Sequence, residues 1–368
     1  MEGGFGMRFI HTADWHIGLA PAPQRYGADF ARQRRIELLE TAETTVRFAN
    51  ENQVDLILCA GDLFHSSHVR IDELKSLNAI LSGLKTARFV VVSGNHDPLL
   101  KNGNYDRIQW NEKVHIAPEG CSALDFPELD CCIHTYGWNE NEQPMAVLDN
   151  WHPKKQAKYD ILLLHADATS DTSKYLPVSP NWLRSLPMDY IALGHIHQPL
   201  ILDKHIRYAG SPEPLNISES GEHGFWLCDL NDDGLSVEKI ITAQRRCLRK
   251  RMEINPQDAT WELRMAIRAM AQAEGIKNLY DIELCGSHSA EHPLDAEQMR
   301  QELLADGILC QLKDSTTPDY DLQRLLQENE NNLLGGFIRS FSGKALSKQE
   351  EQALEIGIEA LLQEMRKG

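Results

Sequence analysis

Five short apolar runs in this chain each end in side chains that bind metals or move protons, and no other feature restricts the fold as strongly. The clearest is Val90-Val91-Val92-Ser93-Gly94-Asn95-His96-Asp97-Pro98. The same arrangement recurs at Phe9-Ile10-His11-Thr12-Ala13-Asp14-Trp15-His16, at Leu56-Ile57-Leu58-Cys59-Ala60-Gly61-Asp62-Leu63-Phe64-His65 and at Tyr190-Ile191-Ala192-Leu193-Gly194-His195-Ile196-His197. Ile161-Leu162-Leu163-Leu164-His165 has the same form without the glycine. A short uninterrupted apolar run bounded by glycine is the pattern of a strand buried on both faces. Ligands of α/β sheets gather outside the carboxyl ends of the strands. Five strands that each end in Asp, Asn or His therefore imply one shared site.

The runs alternate with helical patterns. From residue 8 the order is strand (8–13), loop, helix (29–50), strand (54–60), helix (72–84) and strand (89–93). In the first helix Ile36, Leu39, Ala42, Val46 and Ala49 recur at three- and four-residue intervals, one apolar stripe to lie on a sheet. This rhythm makes βαβ units. Residues 100–157 are irregular and polar, with a short strand at 131–136, and from 159 to 242 strands dominate, among them 206–209, 224–230 and 236–242. The expected fold is α/β, two packed sheets with helices outside, the second sheet largely antiparallel at its edge. Charge concentrates across 244–251, where a domain boundary is expected. Beyond it, helices at 260–274 and 295–306 and strands at 279–284 and 308–312 compose a smaller α+β unit. A C-terminal helix is expected near 347–366, where Ser347 and Glu350 form a capping box and Leu354, Ile358, Leu361 and Met365 an apolar stripe. That stripe suits either the chain's own second domain or a groove in a partner. The domains so expected are 8–243, 251–340 and 341–368.

Composition removes several classes. No apolar run approaches the roughly 18 residues of a membrane span, and the start lacks the basic-then-apolar order of a secretory signal. The eight cysteines form no Cys-x-x-Cys pair, which argues against thiolate zinc sites and a disulfide framework and fits a reducing cytoplasm. The formal charge of −17 argues against a simple basic nucleic-acid binder, although bound divalent metals would reverse the sign locally. Two basic clusters stand out, Arg32, Arg34 and Arg35, then Arg245, Arg246, Arg249, Lys250 and Arg251. A solvated helix face and an interdomain linker are their plain readings.

On a strand, residues two apart share a face, so Asp14 converges with His16, and His195 with His197. Asp62 and Asn95 each follow a glycine, where a missing Cβ lets backbone pass close to an ion. With His165 the total is seven N/O groups, more than the three or four of one zinc ion. A carboxylate can bridge two ions, and paired metals about 3.5–4 Å apart clamp the oxygens of an in-line phosphoryl displacement. An isolated Asp-x-His is more often chance than ligand. The ordered set on successive strands carries the reading.

These motifs, taken in order as Asp-x-His, Gly-Asp, Gly-Asn-His, His and Gly-His-x-His, resemble the signature of the calcineurin-like metallophosphoesterases. The resemblance is greatest to their DNA repair nuclease branch of SbcD and YhaO-like proteins, through His-Thr-Ala-Asp-Trp-His-Ile-Gly at 11–18, Gly-Asp-Leu-Phe-His at 61–65 and Gly-Ser-Pro at 210–212. It covers residues 8–242. The resemblance implies a four-layer α/β/β/α sandwich, one metal on Asp14, His16, Asp62 and His197, and a second on Asp62, Asn95, His165 and His195. It also implies His96 as the catalytic histidine, oriented by Asp97, with His65 assisting near the scissile phosphate. The second domain would then cap a DNA groove.

With no sulfur among the ligands, Mn²⁺ suits the site, and Fe, Zn or Co remain open. The function so implied is a two-metal DNA exonuclease or endonuclease working with an SbcC-like ATPase and, through a second copy of the chain, as a homodimer. A phosphatase or small phosphodiesterase shares the same core. A scaffold that only binds nucleic acid is the third reading.

Overall fold

The structure is a computed structural model that describes residues 6–148, 151–343 and 345–365. Residues 1–5 and Arg366, the last residue of the expected C-terminal helix, lie outside the described residues. The chain divides into two compact units, Met1–Cys247 and Leu248–Gly368.

The first unit runs β1 (Met7–Thr12), α1 (Pro23–Tyr26), α2 (Ala28–Glu51), β2 (Leu56–Cys59), α3 (Ile71–Ser82), β3 (Arg88–Val91), β4 (Val114–Ile116), β5 (Gly120–Phe126), β6 (Cys131–Gly137) and β7 (Tyr159–His165). It continues with α4 (Pro180–Ser185), β8 (Tyr190–Gly194), β9 (Leu200–Asp203), β10 (Ile206–Tyr208), β11 (Gly224–Asn231) and β12 (Gly234–Ile241). Two six-stranded sheets result, ordered β12-β11-β1-β2-β3-β4 and β5-β6-β7-β8-β10-β9. Both are parallel at the centre, where β1, β2, β3 and β4 run together in one and β6, β7, β8 and β10 in the other. The second sheet is antiparallel at both edges, β5 on β6 and β9 on β10, and the first at its β11 and β12 edge.

Strand alternation builds the layers. Phe9, Leu58, Val90, Ile161, Leu163 and Tyr190 point between the sheets. Ile10, Ile57, Phe89 and Val91 point the other way, onto Leu38, Ala42, Val46 and Ala49 of α2 and Leu74, Leu77 and Leu81 of α3. Leu162, Leu164, Ile191 and Leu193 face outward from the second sheet onto Leu183, Leu186, Trp138 and Leu148. This last layer is thin, with α4 its one helix among the described residues. The strands are thus buried on both faces, which is why they read as unbroken apolar runs. His11 crosses between the sheets to Tyr190 Oη at 3.0 Å and the Leu193 carbonyl at 3.2 Å. Burial holds its ring neutral, at a pKa of about 3.

The stripe on α2 is displaced from the expected one. Ile36 is 44% exposed, and Leu38 takes its place beside Ala42, Val46 and Ala49. A pair of buried arginines accounts for the shift. Arg34 donates to Glu37, Glu213 and the Pro214 carbonyl, while Arg245 grips Glu37 through two nitrogens. Arg35 holds Glu73 and the Gly18 carbonyl. In the second cluster Arg249 pairs with Asp281 and Lys250 with Glu274. These cations serve the fold, since ion pairs already occupy them.

The second unit contains β13 (Cys247–Ile254, whose first residue belongs to the first unit), α5 (Thr260–Glu274), β14 (Leu279–Ser289), α6 (Ala296–Ala305), β15 (Leu309–Asp314), β16 (Thr317–Asp319), α7 (Leu322–Glu328), α8 (Leu333–Phe341) and α9 (Lys348–Met365). Its sheet is β13-β14-β15, with β16 pairing β14, and its core joins Ile267, Tyr280, Ile282, Leu284, Met299 and Leu303. The capping box at Ser347 and Glu350 is present. Leu354 and Ile358 of α9 pack on Leu334 and Ile338 of α8, with Leu361 at the margin. The C-terminal stripe is therefore covered by the chain's own helix, and Met365 alone of its four residues is exposed. No helix among the described residues is long and apolar enough to cross a membrane.

Candidate metal centre

The turns that follow β1, β2, β3 and β8, with the last residue of β7, bring all seven expected ligands to one place. Asp14, His16, Asp62, Asn95 and His165 are buried, and His195 and His197 are half-buried. Convergence of Asp14 with His16 does not come from strand alternation. Both lie past the strand with left-handed backbone (φ 55° and 44°), as do Asp62 (φ 50°) and His195 (φ 101°). Non-glycine residues held there store strain, which persists where the surroundings over-determine the conformation and which clusters at functional sites. Here the loop after β1 is laced to the loop after β2. The Asp14 amide donates to the Gly61 carbonyl (3.0 Å) and the His16 amide to the Asp62 carbonyl (2.9 Å).

The glycines are explained by neighbouring protein atoms rather than by an ion. A Cβ on Gly61 would press into the His165 ring, one on Gly94 into Asp62 and His165, and one on Gly194 into the Ala60 carbonyl. The strand ends approach too closely for any larger residue.

Asp62 stands in the middle. Its Oδ2 lies 3.4 Å from both His16 Nε2 and His165 Nε2, and its Oδ1 accepts from the His96 amide at 2.8 Å. Asp14 gathers with His16 and His197 in one group, and with Asp62 and His165 in another, the ligating atoms within 4.8 Å of one another in each. His165 Nδ1 donates to the Ala60 carbonyl at 2.9 Å, which leaves its Nε2 lone pair facing Asn95 Oδ1 at 2.9 Å. Two acceptors so close require a cation or a proton between them. His16 is buried with both ring nitrogens lacking a hydrogen-bond partner. Orphaned donors and acceptors of this kind are rare in an interior, and the N/O set around them fits two divalent ions.

Electrostatics point the same way. Burial raises Asp14 to about 6 and Asp62 to about 7, and it depresses His16 well below the usual imidazole value and His195 to about 3. His197 differs. Burial opposes its charge, but the bond to Glu219 and the neighbouring Asp14 and Asp62 outweigh that and lift it to about 9. Bound cations need Asp14 and Asp62 charged and His197 neutral, so metal uptake must release protons. At fixed metal concentration, occupancy is expected to fall as pH drops from about 7 to 5.5, the window in which both carboxyls take up protons. Elemental analysis after gel filtration at each pH checks this, and full occupancy at pH 5 contradicts it. In the metal-free fold the two carboxyls act with the opposite sign. Their folded pKa values exceed the ordinary 3.8, so their contribution to stability declines as pH rises from about 4 to 7.

The groups around the ligands are partly unexpected. Glu219 Oε1 bonds His197 Nδ1 at 2.9 Å, and its Oε2 accepts from the Leu215 amide. A carboxylate behind a metal histidine fixes ring and tautomer. Glu219→Ala is expected to weaken metal binding by roughly 10- to 100-fold, with Glu219→Gln, which keeps an acceptor, in between. Titration of stripped protein with Mn²⁺ or Co²⁺ measures it, and unchanged affinity in the alanine variant removes Glu219 from the centre. Asp167 lies 3.9 Å from His195 Nε2. Its signal was available in the sequence, as a carboxylate two residues past His165.

His96 and His65 stand over the ligands. The His96 ring packs edge-on to His16 (4.9 Å between centroids) and stacks on His65 (4.4 Å, 30°). Burial lowers both to about 4. Asp97 corrects the sequence reading. In place of a bond to His96, its carboxylate accepts from the Leu63 amide (2.7 Å), the Gly94 amide (2.6 Å) and Tyr105 Oη (2.8 Å). It locks the turns after β2 and β3 together, and three donors from other groups occupy it. Another set of possible ligands, Cys132, His134 and Asp160, lies elsewhere. There Asp160 is already satisfied by His134 and by the amides of Gln156 and Ala157.

Comparison with known proteins agrees with this geometry. The chain is 28% identical over 252 residues to the uncharacterized metallophosphoesterase YhaO of Bacillus subtilis, covering 63% of this chain and 59% of that one. It is 27% identical over 268 residues to the SbcD component of the SbcCD nuclease of Escherichia coli, covering 59% and 63%. To a DNA double-strand break repair protein of Methanopyrus kandleri it is 23% identical over 361 residues, covering 88% and 76%. The first two matches span less than two thirds of those relatives. The family described as calcineurin-like phosphoesterase matches residues 7–199, the stretch that contains all seven candidate ligands, and the chain belongs to that family.

Proposed function

We propose that the protein is a two-metal phosphodiesterase that cleaves DNA, and that the metals are Mn²⁺ held by Asp14, His16, Asp62 and His197 and by Asp62, Asn95, His165 and His195. One observation carries this reading: candidate N/O ligands from five strand ends gather about the Asp62 and Asp14 carboxylates, with the stacked His65 and His96 rings grouped against His16 at their side. Two divalent ions supply polarisation of phosphoryl oxygens and a nucleophile from water at neutral pH. The chain's own residues do the rest. Asp62 and Asp14 carry the negative charge that draws the cations in. His165 and His197 are held in their ligating tautomers by the Ala60 carbonyl and Glu219. His96 is neutral at pH 7 in the free protein, and a phosphate anion against it raises its pKa, the direction a proton donor to the departing oxygen needs.

Choice of DNA over a smaller diester draws support from the two relatives named as part of a nuclease and as a DNA break repair protein. The proposal extends to an SbcC-like ATPase partner, supported by likeness to a relative named as one subunit of SbcCD, and to the cytoplasm, where a reducing compartment suits free thiols at all eight cysteines. The deciding experiment is a metal-titrated assay on end-labelled single- and double-stranded DNA beside bis-p-nitrophenyl phosphate. Mn²⁺-dependent cleavage of DNA is expected. Hydrolysis of the small diester with intact DNA would assign a small phosphodiesterase, and binding without any hydrolysis a scaffold.

A further inference from the structure

We infer that the ring of His68 is a stacking platform for a nucleobase of the strand being cleaved. The inference rests on the nuclease reading and names how the site holds its substrate. Three imidazoles form a column. His96 stacks on His65 at 4.4 Å, and His65 packs on His68 at 4.6 Å with 35° between planes. The inner end touches the ligand His16, and the outer ring, His68, is exposed. The column thus carries an aromatic face from the metal ligands to the surface, where every nucleobase has a matching π-face.

The loop that presents His68 is built rather than loose. The Ser66 amide donates to the His96 carbonyl at 2.9 Å, and the amides of His68 and Val69 donate to the His65 carbonyl at 2.8 and 2.9 Å. Asn104 Nδ2 holds the Ser66 carbonyl. Arg35, fixed by Glu73, reaches the His68 carbonyl at 2.9 Å, and Ser67 Oγ meets His68 Nδ1 at 2.9 Å. Val69 is buried against Gly18, where a Cβ would collide with it. A ring held in place before binding loses little entropy on stacking. Charge makes this contact matter more than it would on a basic protein. Arg34, Arg35 and Arg245 are engaged internally, and the chain is strongly acidic, so an uncharged mode of recognition is favoured.

The test uses the full chain with Mn²⁺ and compares wild type, His68→Ala and His68→Phe. One substrate is a labelled single strand, and the other is an oligomer of the same length made of abasic tetrahydrofuran units. His68→Ala is expected to raise KM on the base-bearing strand on the order of tenfold with kcat nearly unchanged. His68→Phe should restore wild-type KM, and the abasic oligomer should not distinguish the three proteins. An unchanged KM in His68→Ala overturns the platform. So does a His68→Phe variant as poor as alanine, or an equal loss on the abasic oligomer, because the ring's nitrogens or the loop would then be responsible. A wild-type protein that hydrolyses bis-p-nitrophenyl phosphate but neither oligomer refutes the nuclease reading itself, and the platform with it.

Discussion

His96→Ala is expected to keep the fold and both metals while phosphodiester hydrolysis falls roughly 10²–10⁴-fold, the range for losing a general acid or base. The geometry separates the two effects. His96 meets the centre through its backbone amide, which donates to Asp62 Oδ1 at 2.8 Å, and alanine retains that bond. Its ring leans on His16 and His65, and the three imidazoles make a group that contains neither Asp14 nor Asp62. His16→Ala is the contrasting case, because it removes a ligand whose two nitrogens have no other partner, and metal and activity should vanish together. Metal content and turnover measured on the same preparations decide the matter. Near-normal turnover in a metal-replete His96→Ala protein would take His96 out of the mechanism.

Asp62→Asn should abolish the centre with little damage to the fold. The amide can still accept from the His96 backbone, but the oxygen that lies 3.4 Å from both His16 and His165 loses its charge. At least one metal per chain should be lost. Activity should fall roughly a thousandfold or more, since each ion supplies several kcal/mol of charge stabilisation in the transition state. Melting gives an independent readout. Burial raises the Asp62 pKa to about 7 when metal is absent, so its charge is a burden on the free fold at neutral pH. The stripped variant should therefore melt no lower than stripped wild type, while the rise on adding Mn²⁺ shrinks. A variant that keeps two metals and full activity shows that Asp62 does not bridge.

The gathering of the candidate ligands was legible because each follows its own strand within a few residues, and an apolar run that ends in Asp, Asn or His is a local pattern. The reason for their convergence was not legible. Strand alternation brought Asp14 to His16 on paper, whereas left-handed backbone does so in the fold, and nothing in Asp-Trp-His announces a positive φ. Asp97 misled for the same reason. Adjacency to His96 suggested a bond, but tertiary donors from Leu63 and Tyr105 claim the carboxylate. Glu219 stands 22 positions after His197 in an irregular loop with no periodicity, so sequence offers no cue to it. The α2 stripe slipped because buried ion pairs at Arg34 and Glu37 set the phase of the helix, and hydrophobic counting does not see them.

The five strand ends that supply the ligands are spread from Asp14 to His197, and this spacing governs when the site can exist at all. During synthesis the amino-terminal strands emerge first and can pair, but a chain that stops short of His195 lacks two histidines and the return loop that bears Glu219. Contacts of such sequence separation form late and slowly, because loop closure must precede any gain from them. Metal ions that bind the finished site and not the open chain then hold the last-formed contacts in place by mass action. A nascent or partly unfolded copy would in this way be inert toward phosphoesters, and hydrolytic competence would arrive only with closure of the fold.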